Sequence, residues 1–111
     1  MQLETFDSHD VTIVKIPVER LDAGNSKEFK KLMEPYIKQN SKIAVDLSSV
    51  RFMDSSGLGA LLSCLRSVAS QAGDLKLFGM NVTVRALFEL VRMHRIFEIV
   101  GTQEAAIEAF K

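Results

Sequence analysis

The chain has a single cysteine, Cys64. No disulfide can form within it, and such a count suits a reducing compartment. Charge of either sign is not in excess: fourteen Lys and Arg balance fourteen Asp and Glu. That leaves no electrostatic footprint for direct nucleic-acid binding or for an anionic membrane. No apolar run approaches the roughly 18 residues of a membrane span. The opening Met1-Gln2-Leu3-Glu4-Thr5 lacks the basic and apolar regions of a secretory signal. The expected location is therefore cytoplasmic.

Signatures of catalysis are missing too. A nucleophile elbow needs G-x-S-x-G, and Met53 or Asp54 stands where its first glycine would be. A phosphate loop needs a lysine that does not follow Gly59, and a dinucleotide fingerprint needs a small residue where Leu62 stands. His9, Cys64 and His94 lack metal-ligand spacing. These absences lead us to expect no enzyme, no metal and no cofactor.

What is present is an ordinary globular composition over 111 residues, 47% hydrophobic and 25% charged. We expect one domain over residues 1–111, burying about 65% of the surface its unfolded chain exposes. The pattern predicts short strands at Leu3–Phe6 and Val11–Val18, joined by a turn at Ser8–Asp10 into an opening hairpin. Glu19–Gly24 reads as a loop. A helix follows from Asn25, with Glu28 as capping-box partner and Phe29, Leu32, Met33, Tyr36 and Ile37 on one stripe. Pro35 predicts a kink in it.

The run Lys42–Leu47 predicts a strand buried on both faces. A helix is expected from about Gly57 to Ala72, ended by Gly73 in the C′ role. A strand at Leu75–Phe78 follows. A helix capped by Asn81 carries Val84, Leu87, Phe88 and Val91 at helical spacing. A strand at Ile96–Val100 and a helix capped by Thr102 complete the chain. Strands alternating with helices after a hairpin define an α/β fold with a mixed sheet, parallel after the hairpin, of about five strands and about four helices.

The stretch Phe52–Leu62 stands apart. It crowds Asp54, Ser55, Ser56, Gly57 and Gly59 into one strand-to-helix link. One reading is plain capping: Ser56 accepts a bond from an orphan N–H, and Asp54 is a favourable anion at a helix start. If Ser56 is the cap, Ser55 is left with a free hydroxyl. Gly57 and Gly59 each cost ~1 kcal/mol in a helix relative to alanine. They supply a bare backbone that a partner or a phosphate can approach. Phe52 and Met53 add apolar contact surface.

The run from Asp46 to Gly59 (Asp-Leu-Ser-Ser-Val-Arg-Phe-Met-Asp-Ser-Ser-Gly-Leu-Gly) closely resembles the signature of the STAS domain, most nearly the free-standing anti-sigma factor antagonists of bacteria. The likeness extends to the loop Arg20-Leu21-Asp22-Ala23 and to Leu87–Leu90. Glu19, where the family usually has glycine, and Pro35 depart from the pattern. The resemblance implies phosphorylation of Ser55, supported by Asp54, Ser56, Gly57 and Gly59. It also implies partner contacts from Asp22, Ala23, Gly24, Asn25, Phe52, Met53 and Leu58. The implied partners are an anti-sigma factor serine kinase, bound by the unphosphorylated form, and a metal-dependent serine/threonine phosphatase. The free protein is expected to be a monomer. The alternative is a STAS module that senses a nucleotide or other small ligand at Gly57–Gly59, or acts as a scaffold for a non-sigma target.

Overall fold

The computed structural model describes residues 1–111. Two strands open the chain, β1 (Glu4–Ser8) and β2 (Val11–Lys15), paired antiparallel with Ser8 opposite Val11. His9 and Asp10 make the turn with φ of 52° and 67°. Two successive positive φ values belong to the I′ turn, whose twist matches that of the strands it joins. The second strand is buried on both faces: Val11 to Val14 are all buried, Thr12 included, and Thr12 donates its hydroxyl to Asp7 Oδ1 at 2.9 Å.

Past β2 come β3 (Arg20–Leu21), α1 (Ser26–Gln39), β4 (Lys42–Asp46), β5 (Phe52–Met53) and α2 (Ser55–Ala69). The chain closes with β6 (Asp74–Phe78), α3 (Val82–Leu90), a 3₁₀ turn at Met93–Arg95, β7 (Ile99–Val100) and α4 (Gln103–Ala109). The five-stranded sheet runs β1-β2-β4-β6-β7, parallel throughout after the hairpin. The expected α/β architecture, with five strands in the main sheet and four helices, is therefore present. A second, two-stranded sheet pairs β3 with β5 in parallel.

The pleat sends alternate residues of each strand into different cores. Val14, Ile43, Val45, Leu75 and Leu77 enter the main core, with Phe29 and Met33 of α1, Leu61 and Val68 of α2, and Phe88 of α3. Val11, Ile13, Ala44 and Phe78 point the other way, onto Ala106 and Ile107 of α4. On that second face Lys76 is only 6% exposed. Its ammonium binds Asp74 at 3.1 Å and Glu98 at 3.2 Å and lies 4.8 Å from the Phe110 ring. Burial alone would lower its pKa, but the two carboxylates outweigh burial and raise it. Cys64 belongs to the main core, where burial pushes its thiol up to about 12.

Three local expectations are corrected. Asn25 is the residue before α1, but its side chain does not cap the helix and no capping box forms. Its Oδ1 accepts from the Asp22 N–H at 3.0 Å, and its Nδ2 donates to the Arg20 carbonyl at 2.8 Å. The helix α2 ends at Ala69, not Ala72, and Ala72 rather than Gly73 takes the left-handed conformation, at φ 63°. Gly73 is small because an added Cβ would lie 2.6 Å from the Ser41 carbonyl oxygen. The predicted strand from Ile96 shrinks to Ile99–Val100, since the N–H groups of Ile96 and Phe97 fold back onto the Met93 carbonyl at 3.0 Å each. The helix α1 passes through Pro35 and continues to Gln39.

Candidate functional site

The two-residue strands β3 and β5 are too short to fold alone, yet they hold the site together. The Glu19 carbonyl accepts from the N–H groups of Arg51 at 2.7 Å and Phe52 at 3.0 Å. Leu21 pairs with Met53, and the Asp54 N–H reaches the Leu21 carbonyl at 3.4 Å. Chain segments thirty-two residues apart thus run side by side into the start of α2. Glu19 serves through its backbone at a φ that is not left-handed, so the departure from glycine there needs no strained conformation.

The start of α2 differs from the sequence reading. Asp54, not Ser56, is the N-cap. Its Oδ1 accepts from the N–H of Ser56 at 2.9 Å and of Gly57 at 3.0 Å. Its Oδ2 reaches across to the Ala23 N–H at 3.2 Å. One carboxylate therefore caps a helix and clasps the Asp22–Asn25 loop. That loop is braced internally as well: Gly24 N–H donates to Asp22 Oδ1 at 2.9 Å, and Ser26 N–H to the Asp22 carbonyl at 2.9 Å.

Ser55 and Ser56 are the first two residues of α2, and both are exposed. Neither hydroxyl makes a hydrogen bond within the chain, because the cap function has moved to Asp54. The division of labour expected between the serines is corrected: Ser55 is free, and so is Ser56. The occupied N–H groups also count against an anion bound at the helix start, since the Asp54 carboxylate already takes those of Ser56 and Gly57.

The two glycines have different reasons. A Cβ on Gly57 would lie 2.2 Å from the Leu21 carbonyl oxygen and 2.9 Å from Met53 Cγ. Gly57 is buried, and its bareness admits β3 rather than a partner. Gly59 is exposed, with nothing within 4 Å of an added Cβ. Leu58, expected to contact a partner, is 7% exposed and belongs to the main core. Helical spacing carries it inward, while its neighbours Asp54 to Ser56 face solvent.

Phe52 is 48% exposed, and the Arg20 guanidinium lies over its ring at 4.5 Å. Met53 is half-buried against the core. Arg20, Asp22, Phe52, Met53 and Asp54 line a shallow depression of about 300 Å³ beside Ser55. Sequence reasoning missed Arg20 as a site residue; its only signal was its place beside the loop, since the pairing that seats it on Phe52 is tertiary.

Hydrogen bonds from the backbone, that of Gly57 foremost, hold the Asp54 carboxyl below its ordinary value of 3.8 and outweigh the partial desolvation that opposes them. A depressed carboxyl stabilises the fold fully above its unfolded value and loses that contribution as pH falls through the native value. Wild type should therefore be more stable than Asp54→Asn at neutral pH. The gap should close as the pH drops below about 3.8. Urea unfolding at a series of pH values reads this directly, and a pH-independent gap would contradict it.

This arrangement of mixed sheet, short parallel clip and serine-led helix defines a class. Residues 2–106 match the STAS domain family model, and the chain belongs to that family. Among its relatives is an anti-sigma-B factor antagonist of Listeria monocytogenes, 32% identical over 80 residues that cover 71% of this chain and 70% of that protein. A Thermotoga maritima protein, provisionally named as an anti-sigma factor antagonist, has a crystal structure that matches with a TM-score of 0.88. It is 30% identical, and the match covers 96% of this chain and 92% of that one. The Bacillus cell fate determinant SpoIIAA, solved in its phosphorylated form, shares the fold at 24% identity with a TM-score of 0.72, covering 99% and 98%.

Proposed function

We propose that this chain is an anti-sigma factor antagonist that works by partner switching. Unphosphorylated, it binds a serine kinase that doubles as an anti-sigma factor. Phosphorylation of Ser55 releases it, and a metal-dependent serine/threonine phosphatase restores the binding form. Residues 1–111 act as a single cytoplasmic domain with a binding rather than a catalytic role. The contact surface is the Asp22–Asn25 loop with Phe52 and Met53, around Ser55.

The observation that carries this reading is an exposed serine hydroxyl without internal partners, on the first turn of a helix whose cap is clasped to a neighbouring loop. The names of the Listeria and Thermotoga relatives support the antagonist role. Solution of SpoIIAA in a phosphorylated form supports a phosphate on this fold. Because both hydroxyls are free, the choice of Ser55 over Ser56 rests on the family resemblance.

The test is incubation with the cognate kinase and ATP, followed by mass spectrometric mapping. Ser55→Ala is expected to abolish incorporation and Ser56→Ala to retain it. The opposite pattern would move the switch to Ser56.

A further inference from the structure

Six large apolar side chains are exposed on this protein, and four of them fall within fifteen residues on α3 and the turn after it. Val82 is 87% exposed, Leu90 81%, Ile96 52% and Val91 45%. The helix α3 already buries one face, through Val84 and Phe88. Val82, Ala86 and Leu90 recur every fourth residue on its other side, and all three are exposed. The helix is apolar on both sides, while only one side has something to pack against. Concentrated exposure of this kind marks an interaction surface rather than scattered surface residues.

The charge of the same stretch selects its partner. Residues 82–96 carry three arginines, Arg85, Arg92 and Arg95, against the single acid Glu89, in a chain that is neutral overall. A second copy docking face to face would bring like charges together. Anionic lipid surfaces are recognised by clusters of about four to eight basic residues, whereas Arg85 here is paired with Glu89 at 3.7 Å, which leaves Arg92 and Arg95 as the free charges. A protein segment can answer both signs, placing acids against Arg92 and Arg95 and leaving the Arg85–Glu89 pair intact.

We propose that the exposed side of α3 and the following 3₁₀ turn is a second docking surface, and that its occupant is an acidic amphipathic helix of a partner protein. Leu90 and Ile96 supply the apolar contact, and Arg92 and Arg95 fix the polarity. This surface lies outside the Ser55 site and does not depend on the phosphorylation state. An antagonist so equipped stays attached to one partner while it is exchanged by another.

The test uses a fluorescein-labelled synthetic helix with leucines on one face and glutamates elsewhere, read by anisotropy and by backbone amide shifts. The peptide is expected to bind saturably and to shift the amides of residues 82–96. The same peptide with lysine in place of glutamate should bind at least about tenfold more weakly. Leu90→Ser combined with Ile96→Ser removes two solvent-exposed side chains, so the fold should persist by circular dichroism while affinity falls about tenfold or more. Ser55→Asp should bind the peptide as wild type does, which separates this surface from the switch. No saturable binding, equal binding of the lysine peptide, or full affinity in the double variant would overturn the proposal. So would self-association on sedimentation that the double variant abolishes, which would assign the face to a second copy. Co-sedimentation with phosphatidylserine vesicles that the double variant loses would assign it to a membrane and equally overturn it.

Discussion

Gly57→Ala is expected to lower the melting temperature by about 12 °C. The new methyl group would sit 2.2 Å from the Leu21 carbonyl oxygen, a backbone atom tied into the β3–β5 pairing. Neither neighbour can yield cheaply: retreat of β3 weakens its pairing, and retreat of α2 opens the main core. Overpacking of this kind costs about 3 kcal/mol at the upper end of its usual range. A domain of this size loses about 4 °C per kcal/mol. Gly59→Ala is the natural control and should change stability in the opposite direction. Its methyl meets nothing within 4 Å, and an exposed helical position gains about 0.5–1 kcal/mol from alanine. Differential scanning calorimetry of the two variants gives both signs in one experiment. Equal melting temperatures would mean that the contact with Leu21 is soft.

The phosphate on Ser55 should act on binding and barely on folding. It adds ≈ −1.5 to −2 charge at the first residue of α2. The helix terminus favours such a charge by ~0.3–1 kcal/mol, and the adjacent Asp54 carboxylate opposes it. These nearly cancel, so the phosphorylated protein should melt within a few degrees of the unmodified one, at about 4 °C per kcal/mol. In the proposed complex with a kinase that charge would be desolvated beside Asp54 and Asp22. Shifting a complex from 99:1 bound to 99:1 free takes ≈ 5.5 kcal/mol, about 10⁴-fold in affinity, a scale that a buried, unpaired phosphate can supply. Ser55→Asp carries a single negative charge and should therefore fall between the two forms. Calorimetric titration of all three against the kinase measures the series. Equal affinity for the phosphorylated and unmodified proteins would remove the switch.

The sheet and its helices were legible because they are written in local periodicity. Phe29, Met33 and Ile37 announce α1, and the apolar core Ile43-Ala44-Val45 of the Lys42–Leu47 run announces a central strand. The site was legible only in composition. Asp-Ser-Ser presents three good capping residues in a row, and the sequence does not say which one caps. The structure uses Asp54, whose second carboxylate oxygen also meets Ala23, a contact across thirty-one residues that leaves no local trace. The strands β3 and β5 are two residues each and have no periodicity to read. Gly57 looked like clearance for an outside partner because the inside neighbour, Leu21, arrives from a distant loop. Val91 kept helical spacing, but α3 had already ended, and Arg92 turns the chain at φ 61°.

The clasp between Asp54 and Ala23 has a consequence for when the site exists. The loop that flanks Ser55 is fixed only after α1 and β4 have carried the chain back to lay β5 beside β3. A short peptide spanning Ser55 would contain the proposed phosphoacceptor but not its surroundings. Under the proposed switch, a kinase that reads both sides of the clasp would distinguish a finished molecule from a nascent or damaged one, and only molecules that have completed folding would enter the regulatory pool.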